Sequence, residues 1–133
     1  MDASKSQTEK LQESWGEGVH RVEASALICG KDLVVVIKGG TRYHIGAVAL
    51  AIPRPSLADP EQISASASVL CVTGHKEDEL ARIISLQIAS ALNCVVTVIA
   101  GIHIDAANVT DLSTMMDNCT KTISNLVERL KRM

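Results

Sequence analysis

The first half of the chain contains apolar segments of strand length that are separated by turn residues, a pattern typical of β-strands. Val19–Cys29 and Leu33–Lys38 are two such segments, and the short turn Gly30-Lys31-Asp32 between them predicts a hairpin. After a second turn at Gly39-Gly40-Thr41, the segment Tyr43–Ile52 alternates alanines with larger aliphatic residues. This pattern predicts a third strand whose small face lies under a helix.

The second half of the chain changes its period. Prolines from Pro53 to Pro60 predict a loop, because each one removes a backbone donor, and Ile63–Thr73 predicts a fourth strand. Lys76–Leu92 has helical spacing and is closed by Asn93. Cys94–Ala100 is an unbroken apolar run of strand length, which favours a central strand that is buried on both faces.

The last helix is predicted to begin at Asn108, which has Asp111 three residues later and can act as an N-cap. Its apolar positions follow spacings of three and four and form one stripe: Val109, Leu112, Met116, Cys119, Ile123, Leu126 and Leu130. The stripe indicates a helix that covers the sheet. Part of it could also continue into the seam of a homodimer, because such a narrow stripe suits helix pairing.

These elements predict a single α+β domain with the order β-β-β-β-α-β-α. We expect a mainly antiparallel sheet with one parallel β-α-β crossover, and two helices that cover the sheet. The domain is predicted to span residues 19–133. Residues 1–18 are mostly polar without apolar periodicity, so a flexible tail is expected there.

Composition limits the classes of partner. The chain of 133 residues has a net charge of −2, one Trp, one Tyr and no Phe, which argues against nucleic acid as a partner. No run approaches the roughly 18–20 apolar residues of a membrane span, and no signal peptide is evident, so a cytoplasmic protein is expected. The cysteines lie in apolar runs and are predicted to be reduced core residues: Cys29, Cys71, Cys94 and Cys119.

Three histidine motifs are predicted to meet at one edge of the sheet. The fourth and fifth strands are joined through a helix, so they should run parallel and end at the same edge. His75 follows the fourth strand, His103 ends the fifth, and His44 lies near the start of the third. Sheets with crossovers commonly bind ligands at such an edge.

The residues around these histidines suit an anion. Gly74 precedes a helix start, where unpaired N–H groups attract phosphate or carboxylate, and Lys76 could add a point charge there. Arg42 could bind an anion with two hydrogen bonds, and Gly39-Gly40 could let the backbone approach a ligand. The glycine pair could equally serve only as a turn.

His103 and Asp105 are two residues apart on one strand, so they should face the same side. The carboxylate could orient the imidazole, or His44, His75 and His103 could ligate a divalent first-row metal. Surface histidines without any ligand are the plainer interpretation. No phosphate loop, dinucleotide-binding loop, nucleophile elbow or zinc-protease motif occurs, so nothing identifies a reaction.

At these positions the sequence resembles the LpdD-like family of prenylated-flavin chaperones, the small D subunits of gallate and hydroxybenzoate decarboxylase systems. The segments that carry the resemblance span most of the chain beyond Val19: Gly39-Gly40, His44-Ile45-Gly46, Pro53-Arg54, Gly74-His75-Lys76 with Asp78-Glu79-Leu80, and Gly101-Ile102-His103-Ile104-Asp105.

The resemblance implies a non-catalytic helper that binds reduced prenylated FMN and assists activation of a UbiD-type aromatic acid decarboxylase. It implies that Arg54 belongs to the binding residues, although Arg54 follows the third strand and should lie at the opposite edge unless a second subunit delivers it. A homodimer is expected. Two alternatives stay open: a structural subunit permanently bound to the decarboxylase, and a small metal-dependent hydrolase.

Overall fold

The computed structural model describes residues 9–72 and 77–133, and six strands and two long helices lie within them. The strands are β1 Glu9–Trp15, β2 Val22–Cys29, β3 Asp32–Gly40, β4 Ala47–Pro55, β5 Ile63–Cys71 and β6 Val96–His103. The helices are α1 Asp78–Leu92 and α2 Val109–Lys131, and a short 3-10 helix spans Gly18–His20.

The strands form one mixed sheet in the order β1-β2-β3-β6-β4-β5. β6 lies in the middle, parallel to β3 and antiparallel to β4, while the other neighbours are antiparallel. The predicted α+β class, with a mainly antiparallel sheet, is confirmed. The parallel pair is β3 with β6, because β4 lies between β5 and β6, although β5 and β6 do run in the same direction as predicted.

Both helices pack on one face of the sheet. In β6 the residues Val96, Val98 and Ala100 are fully buried, whereas Thr97 and Ile99 between them are only half-buried. The prediction that this strand is buried on both faces is therefore wrong. Its apolar second face carries no helix among the described residues.

The prediction of a small strand face under a helix is confirmed in β4. The alanines on that face are fully buried and α1 packs across β4 and β5. Since a methyl group is the largest side chain there, the helix can approach the sheet closely. The alanines are Ala47, Ala49 and Ala51.

Residues 9–15 form an edge strand where the sequence predicted part of a flexible tail. Five of the seven residues in β1 are polar, so the apolar alternation that marks the other strands is missing. The strand is held by pairing with β2 and by Leu11, which packs against the core. Arg129 of α2 also donates a hydrogen bond to the carbonyl of Gln12. The boundary at residue 18 stays a prediction.

β4 begins later and ends later than predicted. Tyr43 and the three residues after it are irregular, and the strand continues through Pro53 and Pro55, where a loop was expected. Beyond Ala51 only β5 pairs with β4. Prolines are tolerated in this stretch because one side of the strand has no neighbouring ladder that needs their N–H groups.

Asn93 and Asn108 bound the two helices, as the sequence predicted. Asn93 ends α1 in the left-handed conformation. Asn108 caps α2 by accepting from the Asp111 N–H, and the Asp111 carboxylate accepts from the Asn108 N–H in return. Neither helix is long and apolar enough to cross a membrane.

Two of the four free cysteines are buried and two are exposed. Cys94 and Cys119 are buried as predicted, and loss of solvation raises the pKa of the Cys119 thiol to about 12. Burial first, and the nearby Asp32 charge second, raise the pKa of Cys94. Cys29 and Cys71 lie on the surface, so the prediction that all four cysteines are core residues is wrong.

Candidate functional site

One edge of the sheet collects most of the predicted site residues, and we call it the rim: residues 40–46, Glu77 and residues 101–105. β3 and β6 end at this edge, β4 begins there, and α1 starts beside it. The convergence follows from the strand directions, as the sequence argument expected. It brings His44 and His103 together.

Backbone contacts hold the rim segments in register. The N–H of Thr41 donates to the carbonyl of His103 at 2.7 Å, and the Thr41 hydroxyl accepts from the N–H of Asp105 at 3.1 Å. Gly40 has a φ of +91° and lies so close to His103 that a Cβ would overlap its carbonyl oxygen. A side chain at Gly101 would likewise overlap the carbonyl of His44. The glycines therefore permit close contact between strand ends.

His44 is paired with Glu77 in a part of the rim that is nearly closed to solvent. His44 Nε2 and Glu77 Oε1 are 3.1 Å apart, and their side chains are 21% and 10% exposed. Gly46 leaves the space that the carboxylate occupies, because a Cβ there would overlap it. Sequence reasoning assigned Glu77 only to the helix start and missed this contact; the adjacent His-Lys motif was the only signal.

The second cluster of the rim is more exposed and contains Arg42, His103 and Asp105. Arg42 Nη2 donates to Asp105 Oδ1 at 3.0 Å and lies 3.0 Å from His103 Nε2. His103 Nε2 is also 2.9 Å from Asp105 Oδ1, which confirms that these two residues face the same side. Nε2 can accept from Arg42 or donate to Asp105, and the tautomer decides which.

The electrostatics of this cluster favour an ionised carboxylate. The hydrogen bond from His103 is the largest cause that holds the pKa of Asp105 below its ordinary value of 3.8. Desolvation, the next largest effect, raises this pKa, and the smaller effects of the Arg42 and His103 charges lower it further. Asp105 thus keeps a negative charge beside the Arg42 guanidinium. In chemical terms Arg42 already binds a carboxylate, which is the kind of group an anionic ligand would present.

The two clusters meet in an open cleft. The imidazole rings of His44 and His103 are 5.8 Å apart between centroids and stand edge to face. The cleft has a volume of about 300 Å³ and is lined by Arg42, Tyr43, His44 and His103. Tyr43 is largely exposed, and Lys38 Nζ lies 5.2 Å from the centre of its ring. The cleft therefore offers the aromatic ring of Tyr43 and the guanidinium of Arg42, and Lys38 lies against the Tyr43 ring.

Other predicted site residues are placed differently. Gly39 is inside β3, where a Cβ would clash with the carbonyl of Arg21. Arg54 lies near the far end of β4, where Nε donates to the Ser66 hydroxyl at 2.8 Å. It is seven residues beyond Ala47, about 23 Å along the strand, so the expectation that it lies at the opposite edge is confirmed.

The predicted residues Gly74, His75 and Lys76 lie outside the described residues. Within residues 9–72 and 77–133, no group of three or more His, Cys, Asp or Glu side chains is placed to hold a metal ion. His44 and His103 supply two imidazoles, so a metal would need further ligands from His75 or from a bound molecule.

A third histidine-carboxylate pair lies beside the start of α2, outside the rim. His20 Nε2 is 2.8 Å from Asp111 Oδ1. The backbone hydrogen bond from Asn108, and then the hydrogen bond from His20, hold the pKa of Asp111 below 3.8. Sequence reasoning did not single out His20. Its contact reinforces the helix cap and ties the 3-10 helix to α2.

Three comparisons relate the chain to known proteins. The model of the prenylated flavin chaperone LpdD-like domain matches residues 16–131. No curated protein matches the chain. Among solved structures, the chain is similar to one described as the crystal structure of a novel chaperone complex for yeast 20S proteasome assembly. The identity is 12%, the TM-score is 0.59, and the match covers 94% of this chain and 96% of that one. At this identity the likeness concerns the fold alone.

Proposed function

Because the chain belongs to the LpdD-like family of prenylated flavin chaperones, we propose that it binds reduced prenylated FMN at the rim and assists activation of a UbiD-type aromatic acid decarboxylase. The observation that carries this proposal is the cleft between Arg42, Tyr43, His44 and His103. The chain would act as a non-catalytic accessory protein and as a homodimer.

The chemistry of the cleft suits a flavin phosphomonoester. Arg42 can exchange the Asp105 carboxylate for a phosphate oxygen, since both are anionic acceptors with similar hydrogen-bond geometry. The exposed ring of Tyr43 offers a flat face to a ring system. His103 can donate to or accept from the flavin edge, whereas His44, whose ring nitrogens are buried and whose Nε2 contacts Glu77, lines the cleft with its ring.

The remaining predicted ligand residues belong to this proposal. Gly74, His75 and Lys76 directly precede Glu77 in the chain, and we include them as phosphate-binding residues. Gly40 is included because it permits the close approach of β3 to His103 beside the cleft, and Gly39 is included as the other residue of the glycine pair, where it packs against the backbone of Arg21. A divalent metal held by His44, His75 and His103 would bridge the protein and the phosphate. Elemental analysis of the purified protein tests for it.

The binding experiment is an anaerobic titration with reduced prenylated FMN. We expect Arg42→Gln and His103→Gln to weaken binding about tenfold or more, because a hydrogen bond to a charged group contributes roughly 1.5–3 kcal/mol. Arg132→Gln, an exposed change at the end of α2, is the matched control. Unchanged affinity in both rim variants would show that the cleft is not the binding site.

The chaperone role has its own measurement. The apo form of a UbiD-type decarboxylase is incubated with reduced prenylated FMN, with and without this protein, and the appearance of decarboxylase activity is followed. We expect faster activation and slower oxidation of the free flavin with wild-type protein, and a smaller effect with Arg42→Gln. Flavin binding without any effect on activation would leave a flavin-binding protein with no role in delivery.

A further inference from the structure

The two edges of the sheet differ in how they are protected from pairing with a further strand. At one edge, β1 carries Glu9, Lys10 and Glu13, and Arg129 of α2 donates a hydrogen bond to the carbonyl of Gln12. At the other edge, the nine residues of β5 include no charged residue and no proline. Proteins usually protect an edge strand with charges or prolines, because its unpaired backbone groups can bind another strand. β5 lacks both protections.

Every second residue of β5 directs its backbone N–H and C=O groups away from β4. The N–H of Val72, directly after the strand, donates to the carbonyl of Gly46 at 2.8 Å. Because an antiparallel ladder alternates with a period of two, the residues two, four and six positions before Val72 also bond to β4. The residues between them face the free side, where the described part of the chain places no further strand. These outward-facing residues are Ala65, Ala67 and Val69.

The prolines of β4 agree with this assignment. Pro53 lies opposite Ala65, and Pro55 lies opposite Ile63. Opposite residues of an antiparallel pair direct their backbone groups either toward each other or away from each other. A proline has no N–H to donate, so it leaves the ladder intact only where it faces away from the neighbouring strand. The ladder between β4 and β5 is therefore continuous, and it holds the outward-facing groups of β5 in place.

The side chains of β5 define the chemistry of a strand that could pair with it. On the helix side, Ala65, Ala67 and Val69 pack against the core beside α1. On the opposite side, the alternating positions are serines, followed by Leu70. Neighbouring side chains on one face of a sheet stabilise it when they match, so the added strand should place small aliphatic residues on the helix side and Ser or Thr on the other. A charge at its centre would be unfavourable beside the core.

An extended segment fits this edge better than a second folded copy of the chain. Two β5 strands that meet edge to edge would form a contact about 30 Å long and about 10 Å deep, or ~300 Å² on each copy. A stable interface between folded proteins buries about 800 Å² on each partner. An extended segment can bind with less area, because main-chain hydrogen bonds supply its affinity and alternate side chains supply its specificity.

We propose that the free edge of β5 is a docking site for an extended segment of a partner protein, which adds to the sheet as a seventh strand. The segment alternates small aliphatic residues with Ser or Thr and carries no charge at its centre. Cys71, the last residue of β5, lies opposite Ala47 at the start of β4, so one end of the bound strand lies beside the rim. The inference does not depend on flavin binding, because β5 contains none of the residues that line the cleft.

The test uses a fluorescently labelled synthetic peptide of alternating Val and Thr residues, with a lysine at each end for solubility. Fluorescence anisotropy measures its affinity for the full-length protein. Ala67→Pro should weaken binding about tenfold or more, because it removes an outward-facing N–H and its ring obstructs the peptide backbone. Ala67→Ser keeps the N–H and is the matched control, with unchanged affinity. Circular dichroism checks that both variants are folded.

Hydrogen exchange of the wild-type protein provides a second measurement that needs no variant. Peptide binding should slow exchange at the outward-facing N–H groups of Ala65, Ala67 and Val69, since a hydrogen-bonded amide exchanges slowly. Protection at β1 instead would assign the peptide to the other edge and overturn the proposal.

The remaining contrary outcomes also overturn it. These are the absence of peptide binding, equal affinity in folded Ala67→Pro, and an equal loss in Ala67→Ser, which would assign the effect to the side chain. Association of wild-type copies that Ala67→Pro abolishes, measured by sedimentation, would assign the edge to a second copy of the chain.

Discussion

Glu77 shows how a single residue can connect a helix start to a strand end. Its carboxylate reaches His44 across the space left by Gly46, and both side chains are largely buried. The imidazole is thereby fixed at the back of the cleft, where it lines the cavity together with His103. Glu77 is therefore a positioning residue for His44.

We expect Glu77→Ala to lower the free energy of unfolding by about 1–3 kcal/mol, because it leaves the partly buried imidazole without its carboxylate contact. Glu79→Ala removes a surface ion pair with Arg82 in the same helical turn and should change stability by less than about 1 kcal/mol. Denaturant unfolding measures both. Equal effects would mean that the Glu77 contact does not contribute specifically.

The pKa of Asp105 gives a prediction about pH. The folded-state pKa is below 3.8, whereas the unfolded chain should return it to 3.8. The carboxylate contacts therefore stabilise the fold fully above that unfolded value, and the contribution is lost as the pH falls through the lower folded-state pKa. NMR titration of the Asp105 carboxyl carbon measures the folded-state value.

Removal of the neighbours should raise this pKa toward 3.8. We expect the larger rise in His103→Ala and a smaller one in Arg42→Gln, since the hydrogen bond from His103 is the main cause of the lowered pKa. Asp111, whose pKa is lowered by Asn108 and His20, is the internal control and should not move. No change in Asp105 would mean that the Arg42 cluster is not populated in solution.

At the level of elements, the end of β6 depends on close contact with the loop before β4. Gly101→Ala should lower the free energy of unfolding by about 1–3 kcal/mol or more, because its methyl group would overlap the His44 carbonyl. NMR should also show a shift of the His44 imidazole signals. Gly30→Ala is the control. A Cβ at Gly30 meets open space, so the substitution adds only the backbone strain of a φ of +63°. The His44 imidazole signals of this variant should stay unchanged.

Some elements could be predicted from the sequence and others could not. α1, α2 and their caps followed from apolar spacing and from Asn93 and Asn108, since these signals are local. β1 was not predicted because most of its residues are polar. An edge strand needs few apolar side chains when the neighbouring strand, here β2, supplies the partners for its backbone hydrogen bonds. The part of β4 that contains Pro53 and Pro55 was not predicted, because the effect of a proline on a sheet depends on which strands lie beside it.

At the scale of the whole molecule, the fold places Arg54 far from the proposed flavin site. It lies near the far end of β4, at the edge of the sheet opposite the rim. Arg54 can therefore join the flavin site only if a second copy of the chain brings it to the rim.

If a second copy does bring it there, Arg54→Gln should weaken binding of reduced prenylated FMN about tenfold, which corresponds to about 1.4 kcal/mol. An anaerobic titration measures this affinity, and Arg132→Gln is again the control. An Arg54→Gln variant with normal affinity would remove Arg54 from the site.

The site itself was partly accessible from sequence. Strand order along the chain was enough to bring His44 and His103 to one edge, and the spacing of His103 and Asp105 put them on one side. The His44 contact with Glu77 and the His20 contact with Asp111 were not accessible. They join residues far apart in the chain, and no local pattern encodes such a distance.

Local patterns by themselves determined the elements, the α+β class, the direction of the main strands and the edge where the histidines gather, because periodicity and caps act over a few residues. Only the tertiary structure decided that β6 inserts between β3 and β4, that both helices share one face, and that the opposite face has no helix among the described residues. Those features depend on which surfaces meet, and an unbroken apolar strand such as Cys94–Ala100 is equally compatible with a helix or with a second sheet on its other side.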